Sequence, residues 1–261
     1  MPGLVLGCHG MATFAVLGIP PAWNILFFTM AGAVLVYSAD RYLPYSPEDG
    51  TGGRPVQPVV LIFFLLVSVG LVYFAVQSFQ SATLAGVLCL ALLSMAYVLP
   101  LLPSRRRLKD IPYLKAIVVS TGWALSGVLL PALEAGSAID SRLLFLFLYR
   151  VIYLLPNLIL SDWPDRDADR AAGIVTVANR CGGAHRLILF SRALTLACAA
   201  ILGLGVLRGA LPLWFLADPA GLILVLVLVR RRLPEKRRFY RLAVDGLAGW
   251  PVVPAVWVLV G

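Results

Sequence analysis

Residues 57–76 read QPVVLIFFLLVSVGLVYFAV, twenty consecutive positions without a charge. About twenty apolar residues in a helix cross the ~30 Å hydrocarbon core of a bilayer, and the run lacks the alternation of a barrel strand. Working outward from it, eight further apolar runs give nine in all: 3–19, 22–39, 57–76, 80–101, 112–133, 142–160, 187–207, 211–229 and 242–260. The composition agrees. Of the 261 residues 60% are hydrophobic and 13% are charged, too few charges to cover a soluble domain of this length. The fold class expected is therefore all-α: one polytopic bundle of nine transmembrane helices. The first run is short and holds His9, but with no basic leader and no cleavage site it reads as a span, not a signal. Cys8, Cys89, Cys181 and Cys198 form no CxxC pair and read as small hydrophobes.

The basic residues orient these runs. The connections after the second, fourth, sixth and eighth runs carry two, five, four and seven Lys or Arg, eighteen of the 22 in the chain. They are Arg41 and Arg54; Arg105, Arg106, Arg107, Lys109 and Lys115; Arg166, Arg170, Arg180 and Arg186; and the stretch from Arg230 to Arg241. Such a bias places those connections and the N-terminus in the cytoplasm, with the bundle in the plasma or inner membrane. The formal charge of +9 thus reports topology, and no nucleic-acid partner is expected. Ten of the 13 acids share the same side, among them Asp40, Glu48, Asp49, Asp162, Asp165 and Asp169. Topology does not require acids to gather among arginines, so their gathering has a separate cause.

The densest group is SDWPDRDADR, residues 161–170, directly after the sixth run. Asp162, Asp165 and Asp169 stand at i, i+3 and i+7, within roughly 60° of one another on a helical face. Pro164 is tolerated where a helical turn begins. Carboxylates stacked this way repel unless a cation joins them, and Mg²⁺ takes one or two carboxylates together with substrate phosphates and water. Arg166 and Arg170 are candidates for direct phosphate contact. The bland alternative is a solvated loop of alternating charges held by local ion pairs. A weaker acidic segment, Ser38 to Tyr42 with Glu48-Asp49 beyond it, follows the second run. The two acidic segments lie four runs apart, and each set of four runs ends in a basic loop, which suggests two four-helix halves and a final helix.

At these residues the chain resembles the UbiA-type intramembrane prenyltransferase superfamily. Its second motif, DxxDxxxD with a following Arg-Ala-x-Gly-like turn, resembles Asp162, Asp165 and Asp169 with Arg170-Ala171-Ala172-Gly173. Thr176 and Arg180-Cys181-Gly182 fit the segment beyond, and Tyr97, Pro100, Lys109, Pro112, Lys115 and Trp123 resemble the family's Tyr-to-Lys segment. The first motif departs: where NDxxDxxxD is expected, Ser38 and Asp40-Arg41 stand, with Glu48 and Asp49 displaced downstream. Asp40 carries over, and Asp49 does not align without a gap.

The resemblance implies a membrane enzyme that ionises an allylic isoprenoid diphosphate with Mg²⁺ and passes the prenyl group to a lipophilic acceptor, an aromatic ring being one such. It implies Asp40, Asp162, Asp165 and Asp169 as metal ligands and catalytic residues, and Arg41, Lys109, Arg166 and Arg170 as diphosphate contacts. A terpene cyclase of the same type is the close rival, because the ionisation is shared and cavity shape selects the nucleophile. A transporter or lipid-binding protein without chemistry is the third reading. Arg150, near the middle of the sixth run, is a functional candidate by its depth, with a structural ion pair as the alternative. Tyr149, Tyr153, Asn157 and Trp123, and Tyr97 at the end of the fourth run, are candidates to line a cavity; His9 and His185 read as structural. Oligomeric state is not legible.

Overall fold

A computed structural model of the chain describes residues 2–42, 58–103, 106–229, 233–234 and 239–260. Among the described residues every regular element is helical, and β pairing is limited to one isolated bridge between Leu102 and Arg106. In chain order the helices are α1 (Pro2–Leu17), α2 (Trp23–Tyr42), α3 (Pro58–Ser78), α4 (Ser81–Val98), α5 (Leu114–Glu134) and α6 (Ser141–Ser161). Two short helices follow, α7 (Arg166–Ala171) and α8 (Val177–Arg180), then α9 (Ala184–Leu207), α10 (Leu213–Leu228), α11 (Leu242–Ala248) and α12 (Val252–Val260).

All nine apolar runs fold as helix, but they are not nine equal spans. Six helices (α2 to α6 and α9) are long and apolar enough to cross a membrane, and α11 with α12 makes a seventh if the bent pair is one span. Proline explains the breaks in the last two runs. The run 211–229 starts as a 3₁₀ turn over Leu213–Ala217 and becomes α-helical beyond Asp218-Pro219. The run 242–260 bends by 41° around Pro251. Proline offers no N–H to the preceding turn, so each helix restarts there. At sixteen residues α1 and α10 reach about 24 Å, short of the hydrocarbon thickness.

Burial separates the helices into two kinds. Along α3, Leu61, Phe63, Leu65, Leu66, Val69 and Val72 are exposed, so this helix, apolar on all sides, presents its surface to lipid. The α6 helix is the opposite case: its polar side chains turn inward and it packs against α5 and α9. Leu143, Leu146, Tyr149, Tyr153 and Leu154 of α6 meet Cys198 and Leu202 of α9 and Phe215 and Leu222 of α10 in the main core. The α1 helix seats on α2 through its glycines, because a side-chain carbon at Gly3 would sit 2.8 Å from the Met30 carbonyl oxygen. At the chain's other end α12 returns to α1, where Ala255 meets Ala12 and Ala15.

Candidate active site

The α6 helix stops at Ser161, and the acidic segment folds back on itself. Pro164 opens a 3₁₀ turn, Trp163–Asp165, and α7 begins at Arg166. That helix ends in a Schellman turn: the Ile174 N–H donates to the Asp169 carbonyl (2.8 Å), the Gly173 N–H donates to the Arg170 carbonyl (3.1 Å), and Gly173 takes φ +72°. Glycine is required there because that backbone conformation disfavours any side chain. Thr176 then caps α8 through a reciprocal pair of hydrogen bonds with Asn179.

This fold-back brings Asp162 and Asp169 to one point, where the Lys115 ammonium meets them at 2.9 and 2.8 Å. Lys115 is the second residue of α5. Just before it, Tyr113 holds φ +64°, a left-handed conformation costing a bulky residue roughly 1–2 kcal/mol, and its N–H donates to the Val175 carbonyl at 2.9 Å. The start of α5 is thus tied to the loop after α7, and strain of this kind concentrates at functional sites. Asp162 and Asp169 do converge, but not as neighbours on one continuous helix; Asp165 lies in the intervening turn, within electrostatic reach of Asp162. Burial pushes the Asp162 carboxyl up to about 6, the nearby Asp169 and Asp165 carboxylates add to the shift, and the Lys115 ammonium opposes it.

A second ion pair stands beside the first. Asp40, near the end of α2, accepts from the Lys109 ammonium. Lys109 belongs to the 3₁₀ turn Leu108–Asp110, which is closed by hydrogen bonds from the Arg107 backbone and guanidinium to Asp110. The Lys109 nitrogen lies 5.6 Å from the centre of the Tyr97 ring, and Tyr97 is within electrostatic reach of Asp40, Lys115, Asp162 and Asp169. Tyr97, at the end of α4, therefore joins the two acidic segments into one cluster with two ammonium groups. The cleft between Lys115, Asp162, Tyr113 and Thr176 has a volume of only about 10 Å³, room for one water-sized group.

The remaining expected residues are placed elsewhere. The Arg166 guanidinium stacks 4.1 Å from the centre of the Trp163 ring and donates to the Trp163 carbonyl. Arg170 donates to the Asn179 carbonyl, bracing α7 against α8. The side chain of Arg41, and all of Glu48, Asp49 and Arg54, lie outside the described residues. Arg150 makes a bidentate pair with Asp218 at 2.7 and 3.0 Å, both side chains at most 1% exposed, and the Tyr149 hydroxyl donates to the same carboxylate at 2.7 Å. Tyr149 and Tyr153 pack around it in the main core, and half-buried Trp123 packs against that core. Asn157 is buried one turn closer to the acidic end.

Two residues carry more of this arrangement than their sequence positions suggest. Lys115 reads as one more charge of a basic loop, although its place in the first turn of an apolar helix was a signal that it faces inward. Asp218 is one of the three acids that do not share the basic side; its isolation in an apolar run, opposite in sign to the equally isolated Arg150, was the hint of their pairing.

Among the described residues no three His, Cys, Asp or Glu gather as a metal-binding group. Two hard oxygen donors, Asp162 and Asp169, do converge, and a cation, the Lys115 ammonium, already stands between them. A pair of carboxylates completed by substrate phosphate and water is the donor set Mg²⁺ uses, so the residues fit that ion.

The sequence profile of the UbiA prenyltransferase family matches residues 51–244. The match begins beyond Asp40 and Asp49, so the first acidic segment lies outside it. A solved structure described as "Structural and mechanistic insights into the biosynthesis of Digeranylgeranylglyceryl phosphate synthase in membranes" is similar in fold, with a TM-score of 0.57 over 97% of this chain and 94% of that one at 13% identity. No curated protein matches the chain.

Proposed function

Because the chain belongs to the UbiA prenyltransferase family, we propose that it ionises an allylic isoprenoid diphosphate at the charged end of its helical bundle and transfers the prenyl group to a lipophilic acceptor. The observation that carries the reading is the meeting of Asp40–Lys109 with Lys115–Asp162–Asp169 around Tyr97: four stretches of sequence, at 40, 97, 109–115 and 162–169, bring acids and ammonium groups together at one end of the helix bundle. The excess of Lys and Arg on this side supports a cytoplasmic mouth on a helical bundle that spans the plasma or inner membrane.

Heterolysis of the allylic C–O bond sends its electron pair to pyrophosphate, so catalysis is the stabilisation of charge developing on phosphate oxygens. Lys109 and Lys115 donate to those oxygens, and Arg41, Arg166 and Arg170 are further candidates for phosphate contact. Asp162 and Asp169, aided by Asp165 and Asp40, would hold Mg²⁺, which supplies further neutralisation of the leaving group. The new bond forms between the acceptor nucleophile and the allylic carbon, and the acceptor then gives up a proton. An apolar groove of about 420 Å³ between α1, α2 and α3, lined by Leu4, Met30, Val34 and Phe63 and reaching Ser38 two residues before Asp40, has the volume and lining for an isoprenoid tail. Lipid-side walls of this kind keep water from the carbocation.

The test is product analysis by mass after supplying purified protein with C10, C15 and C20 prenyl diphosphates and Mg²⁺, with and without lipid extract. Prenylated acceptor together with pyrophosphate is expected. A cyclic terpene formed without acceptor would assign the chain to the cyclases, and no metal-dependent pyrophosphate from any chain length would reject the reading.

A further inference from the structure

The Lys115 ammonium occupies the place where a divalent cation would complete Asp162 and Asp169, and it is shared between them to within 0.1 Å, at 2.9 and 2.8 Å. Three separate elements build this contact: Lys115 from α5, Asp162 from the end of α6 and Asp169 from α7. Their backbones are fixed by the Tyr113–Val175 hydrogen bond and the Schellman turn at Gly173, so the carboxylates stay in register whatever the lysine does. The lysine itself sits on a flexible four-carbon stem. The adjoining cleft, about 10 Å³, has no room for a hydrated divalent ion and a diphosphate while the ammonium stays. Nor do the described residues offer that ion a cluster of three ligands, here or elsewhere, so the two carboxylates are what it would compete for.

We infer that Lys115 is a built-in counterion which competes with a divalent cation for Asp162 and Asp169 and yields the pair when a diphosphate draws the ammonium to its own oxygens. The inference rests on the proposed cation-diphosphate site and adds an order to it. Alone, the protein binds the cation weakly, because a lysine neutralises half of the charge the two carboxylates offer. With the diphosphate present the same carboxylates are released, so anion and cation favour each other's binding through one side chain. The resting protein is thereby protected from leaving two neighbouring, largely buried carboxylates unpaired.

Mn²⁺ is the probe, titrated by electron paramagnetic resonance into the full chain in detergent or nanodiscs at neutral pH without substrate. Lys115→Met should bind Mn²⁺ at least about tenfold more tightly than the wild type. Lys115→Arg, which keeps the charge, should remain weak, and adding Asp169→Asn to Lys115→Met should remove the gain. Equal affinity in wild type and Lys115→Met, or the same gain in Lys115→Arg, overturns the inference. Should Lys115→Met fail to fold, the wild type alone decides: amine acylation of Lys115, followed by peptide mass, should rise severalfold on adding Mn²⁺, and an unchanged Lys115 signal overturns the counterion role. Pyrophosphate release from prenyl diphosphates by the wild type is scored separately. Release without the Lys115 effect keeps the prenyl reading and sinks the counterion, and the effect without release does the reverse.

Discussion

Replacing Asp218 by alanine removes the carboxylate that faces the Arg150 guanidinium in the bundle interior. Three hydrogen bonds are lost, two from the guanidinium at 2.7 and 3.0 Å and one from the Tyr149 hydroxyl at 2.7 Å. Both charged side chains are at most 1% exposed, so water cannot replace the partner. Hydrogen bonds to charged groups contribute roughly 1.5–3 kcal/mol each, but they share one carboxylate and are not additive. Removing one side of a buried pair costs about 3–5 kcal/mol, because the remaining charge is left uncompensated. The rings of Tyr149, Tyr153 and Phe215, centred 5.5, 5.1 and 5.0 Å from the guanidinium carbon, offset part of that. The expected loss is at the lower end, about 3 kcal/mol, a fall in melting temperature of roughly 6–12 °C for a chain of this size. Fluorescence-detected size exclusion after heating, in one detergent at one protein concentration, measures it. The double variant Arg150→Met/Asp218→Leu should return to within about 1 kcal/mol of wild type, since an apolar pair of similar volume replaces a buried ion pair at little cost. It should also release pyrophosphate at the wild-type rate. An Asp218→Ala protein that melts with the wild type refutes the energetic reasoning, and a stable but inactive double variant would move Arg150 into the chemistry.

Three further outcomes are expected. The Asp162 carboxyl, pushed up to about 6, holds its proton more tightly in the folded state than in the unfolded chain; that stabilisation is complete below about 3.8 and is lost as pH rises through about 6. Asp162→Asn should therefore flatten the pH dependence of melting between about pH 4 and 6.5. In the wild type, Mg²⁺-dependent pyrophosphate release should fall as pH drops through about 6, and a rate level down to pH 5 would argue against Asp162 as a ligand. At Tyr113, Asn tolerates the left-handed backbone and should leave the melting temperature unchanged or higher, whereas Tyr113→Ile should be less stable than Tyr113→Asn by about 1–2 kcal/mol; equal melting of the two variants would remove the strain. Gly221→Val places its new carbon 2.5 Å from the Trp250 Cβ and 2.8 Å from the Leu247 carbonyl oxygen, so about 1–3 kcal/mol should be lost, while Gly32→Ala, with nothing within 4 Å, should melt at or above wild type.

Continuous apolar length and the one-sided distribution of Lys and Arg already fix an all-helical membrane bundle and name the end where its charges gather, because a bilayer accepts only segments that satisfy their own backbone and bury no lone charge. The acidic segment 162–169 is equally legible, since its spacing and its glycine are local features. What local pattern does not carry is which charge answers which. Asp162 and Asp169 meet through a fold-back set by Pro164 and Gly173, not along one helical face, and the cation between them comes from a helix some fifty residues earlier. Lys109 finds Asp40 across 69 positions, and Arg150 finds Asp218 across 68. Helix lengths shift for a different, local reason: prolines at 219 and 251 shorten or bend segments whose hydropathy alone reads as full spans. Hydrophobicity and charge bias act residue by residue against the solvent and so are written in the chain, whereas pairing between distant charges depends on packing that exists only once the bundle has closed.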